Sequence, residues 1–325
     1  MSLPRRRFLR LVSGVVVLPA VSRIARAQTY PTRPITRIVP FPAGGATDAI
    51  GRVMAERMRR LLGQTVIIEN VSGADGNIGV GRAARATPDG YTIVVGNTST
   101  HVLNGAFYSL SYDLLNDFAP ISPLVTGPVV LFARKTMPVR DLKELIAWLK
   151  VNPNRASAGI TAVFSRLLAA FFQKETGTQF TPVPYRGGAP ARQDLVGGQI
   201  DLLFDQSDGL SLVRAGSVKA YAVASDMRLL TAPDVPTFVE MGLPALSFSQ
   251  WFGLSAPRGT PRDIIGALNA AAVEALADQA VRLRLAELDQ EIFPREQTPE
   301  ALGALVKADT EKWWPIMKEL GIKAE

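Results

Sequence analysis

The residues of this chain best suited to chemistry offer hydrogen-bond donors to a ligand. Ile38-Val-Pro-Phe-Pro-Ala-Gly-Gly-Ala-Thr-Asp48 is an apolar run that breaks at two prolines and a Gly-Gly pair, then opens into an amphipathic helix through Thr47 and Asp48. A glycine-rich turn feeding a helix start exposes unpaired backbone N–H groups at the positive end of the helix dipole, which suits carboxylates and phosphates alike. The device recurs. Ser157-Ala-Gly159-Ile-Thr161 and Gly187-Gly188-Ala189-Pro190 each precede a helical segment, and the hydroxyl-rich Asn97-Thr-Ser-Thr100-His101 follows a strand. Turns after the carboxyl ends of strands line the ligand crevice in α/β sheets, so these four turns are placed to converge on one small anion.

Groups that make or break bonds are scarce. There is no G-x-S-x-G elbow, no P-loop and no strict G-x-G-x-x-G, since Gly76-Asn-Ile-Gly79-Val-Gly81 has the wrong spacing. His101 is the only histidine and there is no cysteine, which removes thiolate nucleophiles, a disulfide framework and most metal clusters. Asp201 and Asp205 flank Leu202–Phe204 with a spacing that puts both on one face of an extended segment. They are either a carboxylate pair for acid–base work or, as we favour, one group that closes the strand and one that faces a cleft. The reading is therefore a binding protein with no catalytic residues, metal or cofactor.

The elements that must position these turns alternate. Strand candidates are Ile35–Val39, Thr65–Glu69, Thr92–Val95, Val129–Ala133, Phe180–Tyr185, Ile200–Phe204 and Val218–Ala224. They are near-continuous apolar runs of the kind buried on both faces of a parallel sheet. Helical segments fall between them at 48–62, 141–150, 163–175 and 189–197, which gives an α/β fold. In the last third, Thr260-Pro261-x-Asp263 and Thr298-Pro299-Glu300 each read as an N-cap with proline at the first helical position. The first opens a helix with Ile264, Leu268, Ala271, Ala275 and Leu276 on one face; the second carries Leu302, Leu305, Trp313 and Trp314, the tryptophans as core. With no strand between them, the two helices read as a cap on the first domain. Crossings near Thr126-Gly127-Pro128 and Ser249-Gln-Trp-Phe-Gly253 divide the chain into residues 28–127 plus 253–325, and 128–252. Two linkers between two domains is the layout of a hinged clamp.

Residues 1–27 combine a basic start (Arg5, Arg6, Arg7, Arg10), an apolar stretch Leu11–Val21 and a small-x-small site at Ala25-Arg-Ala27. This is the form of a cleaved export signal. An arginine pair followed by Phe8-Leu9 matches a twin-arginine signal, with an ordinary secretory signal as the alternative. The segment holds six arginines and no acid, so its removal takes the formal charge from +7 to +1. The basic balance then carries no indication of nucleic-acid binding. No later apolar run approaches membrane-spanning length, and the expected location is the periplasm.

Several motifs form one ordered set: Tyr30-Pro-x-Arg33-Pro34-Ile35, Phe41-Pro-x-Gly44-Gly45-x-x-Asp48, Gly63-Gln-x-Val66-x-x-Glu69-Asn70 and Pro88-Asp89-Gly90-Tyr91-Thr92. Val183-Pro-Tyr185-x-Gly187-x-Ala189, Asp194-Leu-x-Gly197-Gly198-Gln199-x-Asp201, Pro233-Asp-Val-Pro236-Thr237 and Trp251-x-Gly253-x-x-Ala256-Pro-x-Gly259-Thr260-Pro261 continue it. From about Tyr30 to the C-terminal helices the chain resembles the Bug-type receptors, the substrate-binding proteins of tripartite tricarboxylate transporters. The resemblance implies a type II periplasmic-binding-protein fold: two α/β domains, a two-segment hinge, and a cleft that shuts on a small carboxylate.

Carried over by position, the resemblance implies one wall from Phe41, Ala43, Gly44, Gly45, Thr47 and Asp48, as donors or helix cap. Thr98, Ser99 and Thr100 match a hydroxyl-rich loop of the same domain. Ser157, Ala158, Gly159 and Thr161 would hold a carboxylate from the second domain, with Gly188 and Ala189 nearby, and Asp205 would accept a hydrogen bond from a ligand hydroxyl, amine or water. Ile160-Thr161-Ala-Val-Phe164-Ser165-Arg166 departs from the family pattern; Ile160 and Phe164 would reshape the wall toward a more apolar ligand, and Arg166 would add a cation. The implied partners are a small carboxylate and either permease subunits or a sensor domain, with no nucleic acid, and the receptor is expected to act as a monomer. The alternatives are an orphan receptor serving a signalling partner, and an exported α/β enzyme using Asp201, Asp205 or His101.

Overall fold

A computed structural model describes residues 30–322; the export signal expected at 1–27 lies outside them. The chain builds part of one sheet, crosses to build a second, and returns. β1 (Ile35–Val39), β2 (Val66–Asn70), β3 (Thr92–Asn97) and β4 (Phe118–Gly127) belong to the first sheet. β5 (Val129–Arg134), β6 (Ser157–Ile160), β7 (Thr181–Pro184), β8 (Leu202–Gln206) and β9 (Val218–Val223) form the second, in the order β7-β6-β8-β5-β9. β10 (Gln250–Pro257) and the short β11 (Glu291–Ile292) complete the first, in the order β11-β4-β10-β3-β1-β2.

Both sheets are mixed, where the apolar runs suggest parallel ones. β1 pairs parallel with β2 and β3, and β6 pairs parallel with β7 and β8. The strands that carry the chain between lobes run against these: β10 is antiparallel to β3 and β4, and β5 to β8 and β9. A chain that must leave and re-enter each sheet on the same side has to reverse, and the reversal sits in β5 and β10.

Helices cover the sheets. In the first lobe they are α1 (Ala46–Leu62), α2 (Asn77–Ala84) and α3 (Asn104–Phe107); in the second, α4 (Leu142–Val151), α5 (Val163–Thr176), α6 (Gly188–Val196) and α7 (Leu210–Arg214). The returning chain adds α8 (Arg262–Ala277), α9 (Gln279–Glu287) and α10 (Pro299–Glu319). α1 turns Ile50, Val53, Met54 and Met58 toward the first sheet and ends at Gly63 in the left-handed region at φ 66°, where glycine carries no steric cost. Thr298 caps α10 as expected, accepting from Ala301 N. Thr260 does not cap α8: its hydroxyl donates to the Pro257 carbonyl, and Pro261 occupies the cap position. β11 and α9 lie between α8 and α10, so the expectation of two helices with no strand between them is corrected.

α10 is more than a cap on the first lobe. Trp313 is buried and packs at 5.1 Å, tilted by 51°, against Phe248, whose ring lies 5.3 Å from Phe164 at the start of α5. One apolar cluster therefore joins α10 to the second lobe, with Met317 fully buried in it. Burial of a side chain of that size is worth about 1.5–3 kcal/mol. Trp314 lies partly exposed, its indole N–H donating to the Val102 carbonyl.

Gly79 shows how the packing sets the turn after β1. A Cβ there would lie 2.6 Å from the Val71 oxygen and 3.0 Å from Pro40 Cα, both backbone atoms that no rotamer change moves aside. Gly79→Ala gains roughly 1 kcal/mol of helix propensity but overpacks α2 against Pro40. We expect a net loss of about 1–3 kcal/mol, read from the urea midpoint; an unchanged midpoint would show that the β1–α1 turn is free to shift.

Candidate functional site

The turns that follow β1, β6 and β7, together with the end of β8, enclose a cavity of about 50 Å³ between the lobes. The first lobe contributes Phe41, Pro42, Gly45, Ala46 and Thr47, with Asn97 from the end of β3 and Phe252 from β10. The second contributes Thr161, Ala162, Phe164 and Ser165, then Gly187, Gly188 and Ala189, then Phe204, Asp205 and Gln206, with Val129. Gln250 completes the lining and accepts from Gln206 Nε2 at 2.8 Å.

Three helices begin at this cavity. Gly45 precedes α1 and Gly187 precedes α6 as the cap residues, neither with a side-chain cap, so first-turn amides of both remain available to a ligand. Pro190 withholds one amide from the first turn of α6. At α5, Ser165 Oγ accepts from Thr161 N at 3.0 Å and Ala162 N at 3.1 Å. Phe164 N donates to Ser99 Oγ of the other lobe at 3.1 Å. Oriented amide dipoles are what an entering carboxylate needs, because each oxygen stripped of water requires a donor.

Asp205 is the buried acid in this wall. Its Oδ2 accepts from Arg192 Nη1 at 2.6 Å, and the Thr161 hydroxyl lies 3.4 Å from Oδ1. The same Nη1 donates to Asp208 at 3.0 Å, and Nη2 donates to the Gly44 carbonyl of the opposite lobe at 3.1 Å. Arg192 thus holds two buried carboxylates and latches the lobes together. Burial pushes the Asp205 carboxyl up and Arg192 draws it part-way back. Asp208, which also feels Asp205, is pushed up to about 7 by burial. Burial alone would lower Arg192, but its two carboxylates hold it above its ordinary value. One cation faces two acids, so the two carboxyls titrate as a pair and both are held above their ordinary value. Gly188 is fixed by the pair: a Cβ there would lie 2.6 Å from Asp205 Oδ2 and 2.8 Å from Arg192 Nη1.

Of the residues singled out in the sequence, the structure brings Phe41, Gly45, Thr47, Thr161, Gly188, Ala189 and Asp205 to the cavity. Ala43, Gly44 and Asp48 lie outside its lining. Asp48 braces the turn from beneath, accepting from Gly44 N, Arg52 and Asn70. Burial would raise its carboxyl, and those three bonds hold it below the usual range. Thr98, Ser99 and Thr100 do not line the cavity either, because their hydroxyls serve Trp251 N, Phe164 N and the Asn97 turn; Asn97 is the residue of that loop that does.

Ser157, Ala158 and Gly159 are misplaced by the turn reading. They are strand β6, whose start lies about 10 Å from its cavity end at 3.3 Å per residue. Ser157 N and Oγ donate to Asp201, and Gly159 is small because a Cβ would lie 2.8 Å from Ile200 Cδ1 and 2.9 Å from Leu203 Cδ1. Ile160 is core, and Arg166 stacks 5.2 Å from the Phe107 ring centroid, outside the cavity; Phe164 does line it.

Asp201 closes its strand through Arg134 at 2.7 Å, at the opposite end of β8 from Asp205, so the two are no acid–base pair. His101 is buried, meets Thr100 Oγ1 at 3.0 Å and is pushed down to about 4 by burial. Its ring fills the space that a Cβ on Gly96 would take, which makes it a packing residue. Sequence reasoning missed Arg192 and Asp208. The available signal was spacing: Arg192 is one helical turn beyond Gly188, and Asp208 three residues beyond Asp205.

The model for the tripartite tricarboxylate transporter family receptor matches residues 50–322. The chain belongs to that family. The structure of the periplasmic binding protein BugD is 37% identical, covers 91% of this chain and 100% of its own, and superposes with a TM-score of 0.87. MatC from Rhodopseudomonas palustris, solved with bound malate, is 37% identical over 88% of this chain and 99% of its own, with a TM-score of 0.84. A second R. palustris protein, solved with adipate, is 32% identical over 91% and 100%, with a TM-score of 0.87. The fold is the two-domain fold of these periplasmic binding proteins, and the family's members are binding receptors, not enzymes.

Two outcomes follow from the shared guanidinium. Arg192→Met strands two buried carboxylates and should cost about 3–5 kcal/mol at pH 7. The deficit should shrink as the pH is lowered and the two acids become neutral; a deficit independent of pH would refute the triad. Asp208, with its folded pKa raised from 3.8 to about 7, binds its proton more tightly folded than unfolded. Its contribution is therefore full below pH 4 and is lost as pH rises to 7. Asp208→Asn should flatten that part of the stability profile relative to the native chain, measured as denaturant midpoint against pH.

Proposed function

We propose that this receptor captures a small dicarboxylate in the cleft between its lobes, closes on it, and delivers it to a membrane permease of the tripartite type. The reading rests on one observation above all: the uncapped starts of α1 and α6, one from each lobe, meet at a cavity that Arg192 bridges. A ligand that takes donors from both lobes binds the closed form better and shifts the equilibrium toward it. The malate and adipate held by two relatives support a dicarboxylate of four to six carbons. The periplasmic relatives support the same location here, with residues 1–27 as the export signal.

Phe164 and Phe252 give the cavity an apolar side, which favours a ligand whose carboxylates are separated by methylene groups. Thermal unfolding of residues 28–325 with four- to six-carbon dicarboxylates tests the reading, after an unfolding and refolding cycle to strip bound ligand. A ligand at 100 times its dissociation constant stabilises by about 2.7 kcal/mol. Thr161→Val, which removes a cleft hydroxyl, should weaken the best ligand roughly tenfold, the effect of one lost hydrogen bond. A refolded protein that no dicarboxylate stabilises would sink the proposal.

A further inference from the structure

A second cavity lies between the lobes, bordered by the outer ends of the turns that build the cleft. Its volume is about 300 Å³. Thr161–Ser165 line the cleft, while Ile160 and Arg166 on either side of them line this cavity; Arg186 does so where the next residue, Gly187, lines the cleft. The first lobe supplies Asp75 and Tyr108.

The balance of charge is basic. Arg166 and Arg186 form no salt bridge among the described residues, and Arg166 Nε is buried without a hydrogen-bond partner. Stacking on Phe107 holds the Arg166 guanidinium at the cavity wall. The acid that faces them is Asp75, which accepts from the Tyr108 hydroxyl at 2.7 Å. Burial raises its carboxyl, while Tyr108 and the charge of Arg166 pull it down. The other tyrosine of the wall, Tyr185, is committed to Asp194 at 2.6 Å.

The backbone is unusual at the same place. Gly73, Ala74, Asp75 and Gly76 all have positive φ, at 132°, 46°, 49° and 91°. Two of the four carry a Cβ that disfavours this region. The loop is pinned by Asn104, itself fully buried, whose amide donates to the Asp75 carbonyl at 2.9 Å. Strained backbone held by its surroundings clusters where ligands are clamped.

We propose that this cavity is a second carboxylate site, in which Arg166 and Arg186 hold a carboxylate between the lobes. The planar fork of arginine matches a carboxylate with two parallel hydrogen bonds. Because both lobes line the cavity, occupancy favours the closed form in the same way as occupancy of the cleft. The carboxylate is either the far end of a dicarboxylate held in the cleft or a separate small acid; only the first rests on the function proposed above.

Calorimetric titration of residues 28–325 with adipate, hexanoate (the monocarboxylate of equal length) and acetate separates the cases. If the far end of the ligand occupies the site, adipate binds roughly tenfold or more tighter than hexanoate. The double variant Arg166→Gln, Arg186→Gln then erases that advantage and leaves hexanoate unchanged. If a separate acid occupies it, acetate binds alongside adipate, and the double variant loses the acetate site alone. Affinities for all three probes within twofold of the native chain would overturn the proposal, as would a native chain that binds none of them. Thr161→Val distinguishes the two sites: binding lost there but kept in the glutamine variant leaves the cleft and removes the second site, and the reverse removes the cleft reading. The charge-retaining Arg166→Lys, Arg186→Lys pair, which should recover part of the lost affinity, guards against a glutamine variant that fails to fold.

Discussion

β4 leaves the first sheet at Gly127 directly opposite Gln250, where β10 enters it. In the second sheet Ala224 N donates to the Val129 carbonyl, so β9 ends beside the point where the chain enters that sheet. These antiparallel pairings hold both crossings side by side, and the geometry of the cleft follows from them. The strand ends that carry the turns after β1, β6 and β7 are brought face to face, and the lobes share a pivot only two strands wide. Two further hydrogen bonds join the lobes, Phe164 N to Ser99 Oγ and Arg192 Nη2 to the Gly44 carbonyl.

The electrostatics of the cleft are built from dipoles more than from charge. No lining side chain is cationic, and the guanidinium nearest to it is spent on Asp205 and Asp208. A full cation in the wall would bind any anion tightly and hold the lobes shut. Helix starts offer donors in fixed directions at lower energy, each interaction worth about 0.3–1 kcal/mol at an exposed terminus and up to about 2 where partly buried. Such a site depends on several donors acting together, which suits a receptor that must release what it captures.

Much of this was legible in the sequence where local signals agreed. The run Ile35–Val39, the prolines and glycines after it and the period of α1 all point to one strand–turn–helix unit, and that unit is present. β4 escaped notice because Phe118–Gly127 contains Pro120 and Pro123, which read as breakers. It tolerates them because register shifts against β10 interrupt its ladder there and β11 pairs with only Thr126 and Val125 on the other side. β6 escaped because a four-residue strand with a central glycine has the composition of a turn. The same ambiguity drew Ser157 and Gly159 into the expected site. The hydroxyls of Thr98, Ser99 and Thr100 carry a different lesson. Residue type marks them as donors, but only tertiary context shows that backbone amides have already claimed them.

Gly188 adds a constraint on how this cleft can change over generations. The space that its missing side chain would take is filled by the Asp205 carboxylate and the Arg192 guanidinium. A lineage that first acquires alanine at 188 forces a clash with the ion pair, whereas one that first replaces Asp205 with a smaller neutral residue clears most of that space. Sterics therefore favour losing the acid first, with the Arg192 end left to swing aside.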